Sequence, residues 1–150
     1  RHIAIDAAEA ALHLLQPLCD SHSIKPIIEI RHHDCAVGSG SGILIVAQTT
    51  TGCLLAGTAI GDPRKRASAV GKEAADELLH TLQDGGCVDE WLQDQLILYM
   101  ALADGVSEIL TGSLTQHTQT AIWVAEQIVG AKFEVTRLDE GASSMDVQDT

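Results

Sequence analysis

Apolar positions along the chain repeat with two different periods. Ile5, Ala8, Leu12 and Leu15 recur at helical spacing, which predicts an amphipathic helix over residues 3–20, with Pro17 disturbing its last turn. Residues 25–32 (KPIIEIRH) read as a strand. The run 36–42 (AVGSGSG) is a flexible turn, because consecutive small residues do not hold regular structure cheaply. Two short apolar runs follow, 43–49 and 53–60, separated by Thr50–Thr51–Gly52, and predict a β-hairpin. Gly61–Asp62–Pro63 ends its second strand. From about Arg64 to Gln83, Ala67, Val70, Ala74, Ala75, Leu78, Leu79 and Leu82 form one stripe and predict a long helix, closed by Asp84–Gly85–Gly86. Asp89 opens another helix, to about Ala103. A strand at 106–111, a turn at Gly112–Ser113, a helix at 115–129 closed by Gly130, and a strand at 131–138 complete the pattern. The last twelve residues carry Asp139, Glu140, Asp146 and Asp149, no basic residue and little to bury, so they are expected to be disordered.

The pattern is α/β (α+β) in character, with a boundary expected at Gly85–Gly86. Apolar residues are 45% of the 150, enough for a real core, and no apolar run approaches the length of a membrane span. The chain opens on Arg1 rather than Met and lacks a basic-then-apolar leader, which is the expectation for a fragment or processed chain. Nine Lys and Arg against 21 Asp and Glu give a net charge of −12, a poor balance for general nucleic-acid binding. Cys19, Cys35, Cys53 and Cys87 have no CxxC spacing, and are read as reduced thiols of an intracellular protein, nuclear or cytoplasmic.

Five segments carry candidate chemistry. Gly38–Ser39–Gly40–Ser41–Gly42 lacks the strand-before, helix-after context and the Lys of a phosphate loop, so it reads as a mobile connection. In Arg31–His32–His33–Asp34–Cys35, neighbouring side chains on a strand point to opposite faces, which argues against one shared metal ion. Arg64–Lys65–Arg66 is the one basic cluster, at a helix start where the dipole disfavours cations; it reads as a solvated turn before it reads as an anion contact. Trp91–Leu92–Gln93–Asp94–Gln95 puts an aromatic plate, a carboxylate and an amide on neighbouring positions of one helix, a set that can hold a base and sugar. In the run 113–120, Ser113 or Thr115 serves as N-cap and His117 falls in the first turn. There the positive end of the helix favours the neutral imidazole that nucleophilic attack requires, and its N–H groups can bind phosphate.

Taken together, GSGSGILIVAQTTTGCLLAGTAIG (38–61), GGCVDEWLQDQLILYMALADG (85–105) and TGSLTQHTQTAIWVAEQI (111–128) occur in one order that resembles the RNA 3′-terminal phosphate cyclases, over roughly residues 1–138. The resemblance implies a two-domain cyclase fold. Residues 1–86 are most of a small inserted α/β domain. Residues 87–138 are the last αβαβ unit of the large catalytic domain, and 139–150 are an acidic disordered tail. It implies conversion of an RNA 3′-phosphate to a 2′,3′-cyclic phosphodiester, with ATP consumed to AMP and pyrophosphate through a histidyl-AMP intermediate. The family's T-x-H-T context is matched by Thr115–Gln116–His117–Thr118, which makes His117 the nucleophile. Its aromatic–Leu–x–Asp–Gln run is matched by Trp91, Leu92, Gln93, Asp94 and Gln95, with Trp91 stacking on adenine. Asp94 and Gln95 then orient the imidazole, the ribose or a metal. A divalent cation, Mg²⁺, is implied with ligands in a missing N-terminal part, which also holds the family's glycine-rich signature and further Glu and Arg residues. Trp91 stands where the family usually has Tyr, which keeps stacking and removes a phenolic hydrogen bond. Two other readings are a cyclase-like ribosome-biogenesis protein lacking the adenylation histidine, against which His117 argues, and an inactive interaction fragment.

Overall fold

In the computed structural model, which describes residues 2–138 and 143–148, the first element is helix α1, His2–His22. Its buried stripe is Ala7, Ala11, Leu15 and Cys19, spaced by four, with Ala8 and Leu12 half-buried beside it. The helix runs through Pro17 and extends two residues, about half a turn, beyond the expected end. Leu15 and Cys19 lie on the same buried face on either side of the proline, and that shared burial outweighs the one backbone bond a proline forfeits. Ser23, at φ 54°, then turns the chain, and the Ile24 N–H closes on Cys19 O at 2.8 Å.

The expected strand at 25–32 is not formed. Residues 24–33 have no regular structure and are exposed, Ile27 at 92%. A strand needs a neighbour for its N–H and C=O groups; Pro26 lacks one donor, and no described strand lies alongside. The hairpin is present as β1 (Gly42–Gln48) and β2 (Leu54–Ile60). Bonds from Thr49 N–H to Cys53 O and from Gly61 N–H to Ser41 O close its two ends and make it antiparallel. Helix α2 spans Ala67–Gln83, starting three residues after the expected Arg64. Asp62 explains the delay. Its carboxylate accepts from Arg64 N–H and its carbonyl from Lys65 N–H, holding the basic residues in a turn before the helix. Lys65 is ion-paired with Glu73, which relieves the cation from facing the helix start alone. Ile43, Ile45 and Ala59 of the hairpin pack on Val70 and Ala74 of α2. Gly71 lets α1 approach: a Cβ there would lie 2.8 Å from the Ala7 carbonyl carbon.

The second half holds α3 (Glu90–Leu102), β3 (Ser107–Thr111), α4 (Gln116–Val129), β4 (Lys132–Arg137) and β5 (Ser143–Gln148). The strand order is β3-β5-β4, with both outer strands antiparallel to β5; Met145 pairs with Ile109 on one side and Val135 on the other. This corrects the reading of residues 139–150 as a disordered tail. Ser143–Gln148 form the central strand, and Met145 is fully buried among Ile97, Met100, Ala125 and Ala131. Residues 139–142 and 149–150 lie outside the described residues. Replacing Met145 with Ala is expected to cost about 2–5 kcal/mol, the usual loss for a large core side chain, read by denaturant unfolding. A loss within 0.5 kcal/mol or so, typical of exposed sites, would return the segment to a tail.

The chain divides into two compact units, one of residues 1–47 with 56–80 and one of residues 48–55 with 81–150, so the turn of the hairpin groups with the second. Helices and an antiparallel sheet in one chain give an α/β (α+β) class. No helix among the described residues is long and apolar enough to cross a membrane.

Candidate functional site

The second unit brings two sequence motifs onto adjacent helices. Asp89 caps α3: its carboxylate accepts the Leu92 N–H at 2.7 Å. Thr115, rather than Ser113, caps α4, its hydroxyl oxygen accepting the Thr118 N–H at 3.1 Å. The helix starts are drawn close by Gly86, where a Cβ would lie 2.7 Å from Gly112 N. The chain here also bonds to β3, with Cys87 N–H donating to Leu110 O at 2.8 Å and Val88 bridging Thr111.

A buried polar knot locks α4 to α3. Gln93 is 1% exposed and Thr118 is fully buried. Gln93 Oε1 accepts from the Thr118 hydroxyl at 2.5 Å and from the Thr115 N–H at 3.2 Å. The Thr115 and Thr118 hydroxyls are themselves 3.0 Å apart. His117, one residue before Thr118, is thereby held at a fixed angle on the first turn while its own side chain stays exposed. Gln93 belongs to the run that the family resemblance places at the nucleotide, and here its side chain is engaged with Thr115 and Thr118. Its side chain turns inward, because residues 93, 97 and 100 share the buried face of α3.

Beside this knot lies a groove of about 600 Å³ between α3 and α4. Asp94, Gln116, His117 and Thr120 give it polar groups, and Ile97, Leu98, Ala121, Val124, Ala125, Ile128 and Val129 give it apolar walls. The half-buried Asp94 and the exposed His117 thus face one space. Trp91, Leu92 and Gln95 do not line it. Trp91 is 63% exposed one turn before Asp94, Leu92 is exposed, and the Gln95 amide donates to Trp91 O at 2.9 Å. The α4 wall was missed by motif reading, yet His117, Thr120, Val124 and Ile128 recur at helical spacing and that signal is in the sequence. The helix geometry leaves the Gln116 and His117 N–H groups without an intrahelical acceptor, at the positive end of α4. Such an end favours an anion beside the imidazole.

The other three sequence candidates do not line this groove. Gly38–Gly42 and the 31–35 segment are exposed stretches of the other half of the chain, where Arg31 pairs with Glu29 at 2.6 Å, and in Arg64–Lys65–Arg66 the Lys65 ammonium pairs with Glu73. Among the described residues no three His, Cys, Asp or Glu side chains gather as a metal site.

Residues 5–135 match the RNA 3′-terminal phosphate cyclase family. The chain is 43% identical over 136 residues to the RNA 3′-terminal phosphate cyclase of Drosophila melanogaster, covering 89% of this chain and 37% of that protein. It is 41% identical over 135 residues to the Pyrococcus furiosus protein of that name, covering 89% and 37%. To the probable RNA 3′-terminal phosphate cyclase of Dictyostelium discoideum it is 47% identical over 107 residues, covering 71% and 25%. The chain therefore spans less than half the length of these relatives. With a match over residues 5–135, the chain belongs to the RNA 3′-terminal phosphate cyclase family.

Proposed function

We propose that this chain carries the adenylation centre of an ATP-dependent RNA 3′-phosphate cyclase, with His117 as covalent nucleophile. The supporting observation is that His117, in the run Thr115–Gln116–His117–Thr118, lines the same groove as Asp94 of the Trp91–Gln95 run. A neutral His117 nitrogen attacks the α-phosphorus of ATP, an N–P bond forms, and pyrophosphate leaves. The positive start of α4 stabilises the negative charge that develops on the phosphoryl oxygens. The AMP then passes to the RNA 3′-phosphate, and the neighbouring 2′-hydroxyl attacks that phosphate and expels AMP. Gln93 acts through Thr115 and Thr118 as a positioning residue. Asp94 orients the imidazole or the ribose across the groove, and Trp91 offers an exposed ring for adenine.

In this reading residues 1–86 belong to the small inserted domain and residues 87–138, joined by β5, to the last unit of the large domain. The remaining length of the family's proteins supplies the rest of the nucleotide site, the ligands of a magnesium ion accompanying the triphosphate, and the basic groups that hold RNA. A chain of net charge −12 confines its own RNA contact to the 3′ end. The 150 residues alone are accordingly expected to label weakly with AMP; robust cyclisation by them would overturn this division of labour.

The reading is tested by incubating the enzyme of full family length with α-labelled ATP and following acid-labile, base-stable label on protein. Asp94→Ala is expected to slow labelling by about 10- to 100-fold through misorientation. Trp91→Ala is expected chiefly to raise the ATP concentration required, by about tenfold, which is the worth of one base–aromatic stack. If Trp91→Ala leaves the ATP requirement unchanged, the ring does not carry adenine.

A further inference from the structure

The α3–α4 groove runs on past the groups that adenylation uses. Gln93 of α3 bonds the first turn of α4, so both helices begin at one end of it. That end holds Asp94, Gln116 and His117. Beyond Thr120 the lining is aliphatic, with Leu98, Ala121, Val124 and Ile128 and no charged or aromatic side chain. The stretch is open: Leu98 is 56% exposed and Ile128 79%. Ala121 and Val124 follow His117 by four and seven residues on α4, which places them about 6 and 10 Å along the helix from the imidazole. Trp91, the ring offered to adenine, lies on the N-terminal side of Asp94 and outside the groove, whereas the aliphatic stretch lies on the C-terminal side. A groove of about 600 Å³ is the size of a small-ligand site, typically about 300–1,000 Å³, with apolar walls and a few polar groups at one end.

We propose, resting on His117 as the adenylated nucleophile, that this aliphatic stretch seats the 3′-terminal nucleobase of the RNA. AMP on His117 must meet the RNA 3′-phosphate, so that phosphate lies at the polar end of the groove. The base of the same nucleotide then falls within the next two turns of α4, on the side away from Trp91. The lining selects the part of RNA that it takes. A wall without cations does not hold the phosphate backbone, and one without amides or charges does not read a base edge. What it offers is burial of the base faces, which a neutral base accepts in spite of a net charge of −12. The seat therefore takes all four bases and favours purines, which bury more apolar area.

The test uses the enzyme of full family length and a 3′-phosphorylated RNA whose terminal base is 2-aminopurine. Its fluorescence should rise on binding, because the base leaves a stacked neighbour for an aliphatic wall, and should rise equally with His117→Asn. Leu98→Gln should remove the rise and weaken binding of this RNA about fivefold, with the unfolding midpoint kept, since the side chain is more than half exposed. An RNA with an abasic 3′-terminal nucleotide should bind the parent about tenfold more weakly and be indifferent to Leu98→Gln. Equal binding of the abasic and the ordinary RNA by the parent would overturn the proposal. So would a Leu98→Gln enzyme with a lowered midpoint and an unchanged rise, which means that another part of the enzyme fills the groove. A raised ATP requirement for labelling by Leu98→Gln, with RNA binding unchanged, would overturn it by placing adenine there. Absence of protein–AMP from the parent, with the fluorescence pattern intact, would end the adenylation assignment and support the base seat.

Discussion

Replacing His117 with Asn in the enzyme of full family length is expected to abolish transfer of AMP to protein, a loss of at least about 10³-fold in the first step, as removal of a covalent nucleophile does elsewhere. The fold should not notice. The side chain is exposed and takes no part in the Gln93–Thr115–Thr118 knot, so stability should change by no more than about 0.5 kcal/mol. The two readouts together separate loss of chemistry from loss of structure. A further arm isolates the step: given RNA whose 3′-phosphate is already adenylated, the His117→Asn enzyme should still cyclise it, because the histidine acts before the AMP reaches RNA. Failure on that substrate as well would move His117 to a later step.

Gln93→Ala is expected to behave in the opposite way. It removes a buried acceptor that serves two donors, the Thr118 hydroxyl and the Thr115 N–H, and leaves a void beside Ile97 and Met100. Each stranded buried donor costs about 1–3 kcal/mol, so a total near 3 kcal/mol is reasonable once relaxation and water entry are allowed for. Thr118→Val should cost less, because it keeps the volume and leaves the Gln93 carbonyl one of its donors. Labelling by a Gln93→Ala enzyme that still folds should fall as well, since the first turn of α4 loses its anchor. Unfolding midpoints in denaturant decide the matter. A Gln93→Ala variant as stable as the parent, but with a raised ATP requirement, would return Gln93 to direct nucleotide contact.

How much of this the sequence discloses depends on the range of the interactions involved. The starts of α3 and α4 are legible because their caps are local: Asp89 and Thr115 each bond a backbone N–H within three residues. The hairpin is legible for the same reason, since its turn lies between two apolar runs. Strand β5 is not. Its sequence, SSMDVQ, offers one large apolar residue besides Val147, and its partners Ser107–Thr111 and Lys132–Arg137 are set by register across distant segments. Residues 25–32 show the converse error: an alternating pattern without a partner strand does not make a strand. Gln93 is a polar residue at a core position of α3, and only its spacing to Ile97 and Met100 betrays that. That His117 and Asp94 line one groove has no local signature. The residues are 23 apart in sequence and share the groove because α3 and α4 pack side by side; only the family resemblance joins them beforehand.

The nucleophile assignment is tested most directly by locating the adduct. The enzyme of full family length would be incubated with ATP alone, digested at alkaline pH to preserve an N–P bond, and its peptides sequenced by mass spectrometry. The mass of one AMP should appear on the peptide that spans Thr115–Thr118, at the His117 imidazole, and should vanish in acid. AMP found on a lysine or on any other histidine, with the 115–118 peptide unmodified, would contradict the assignment.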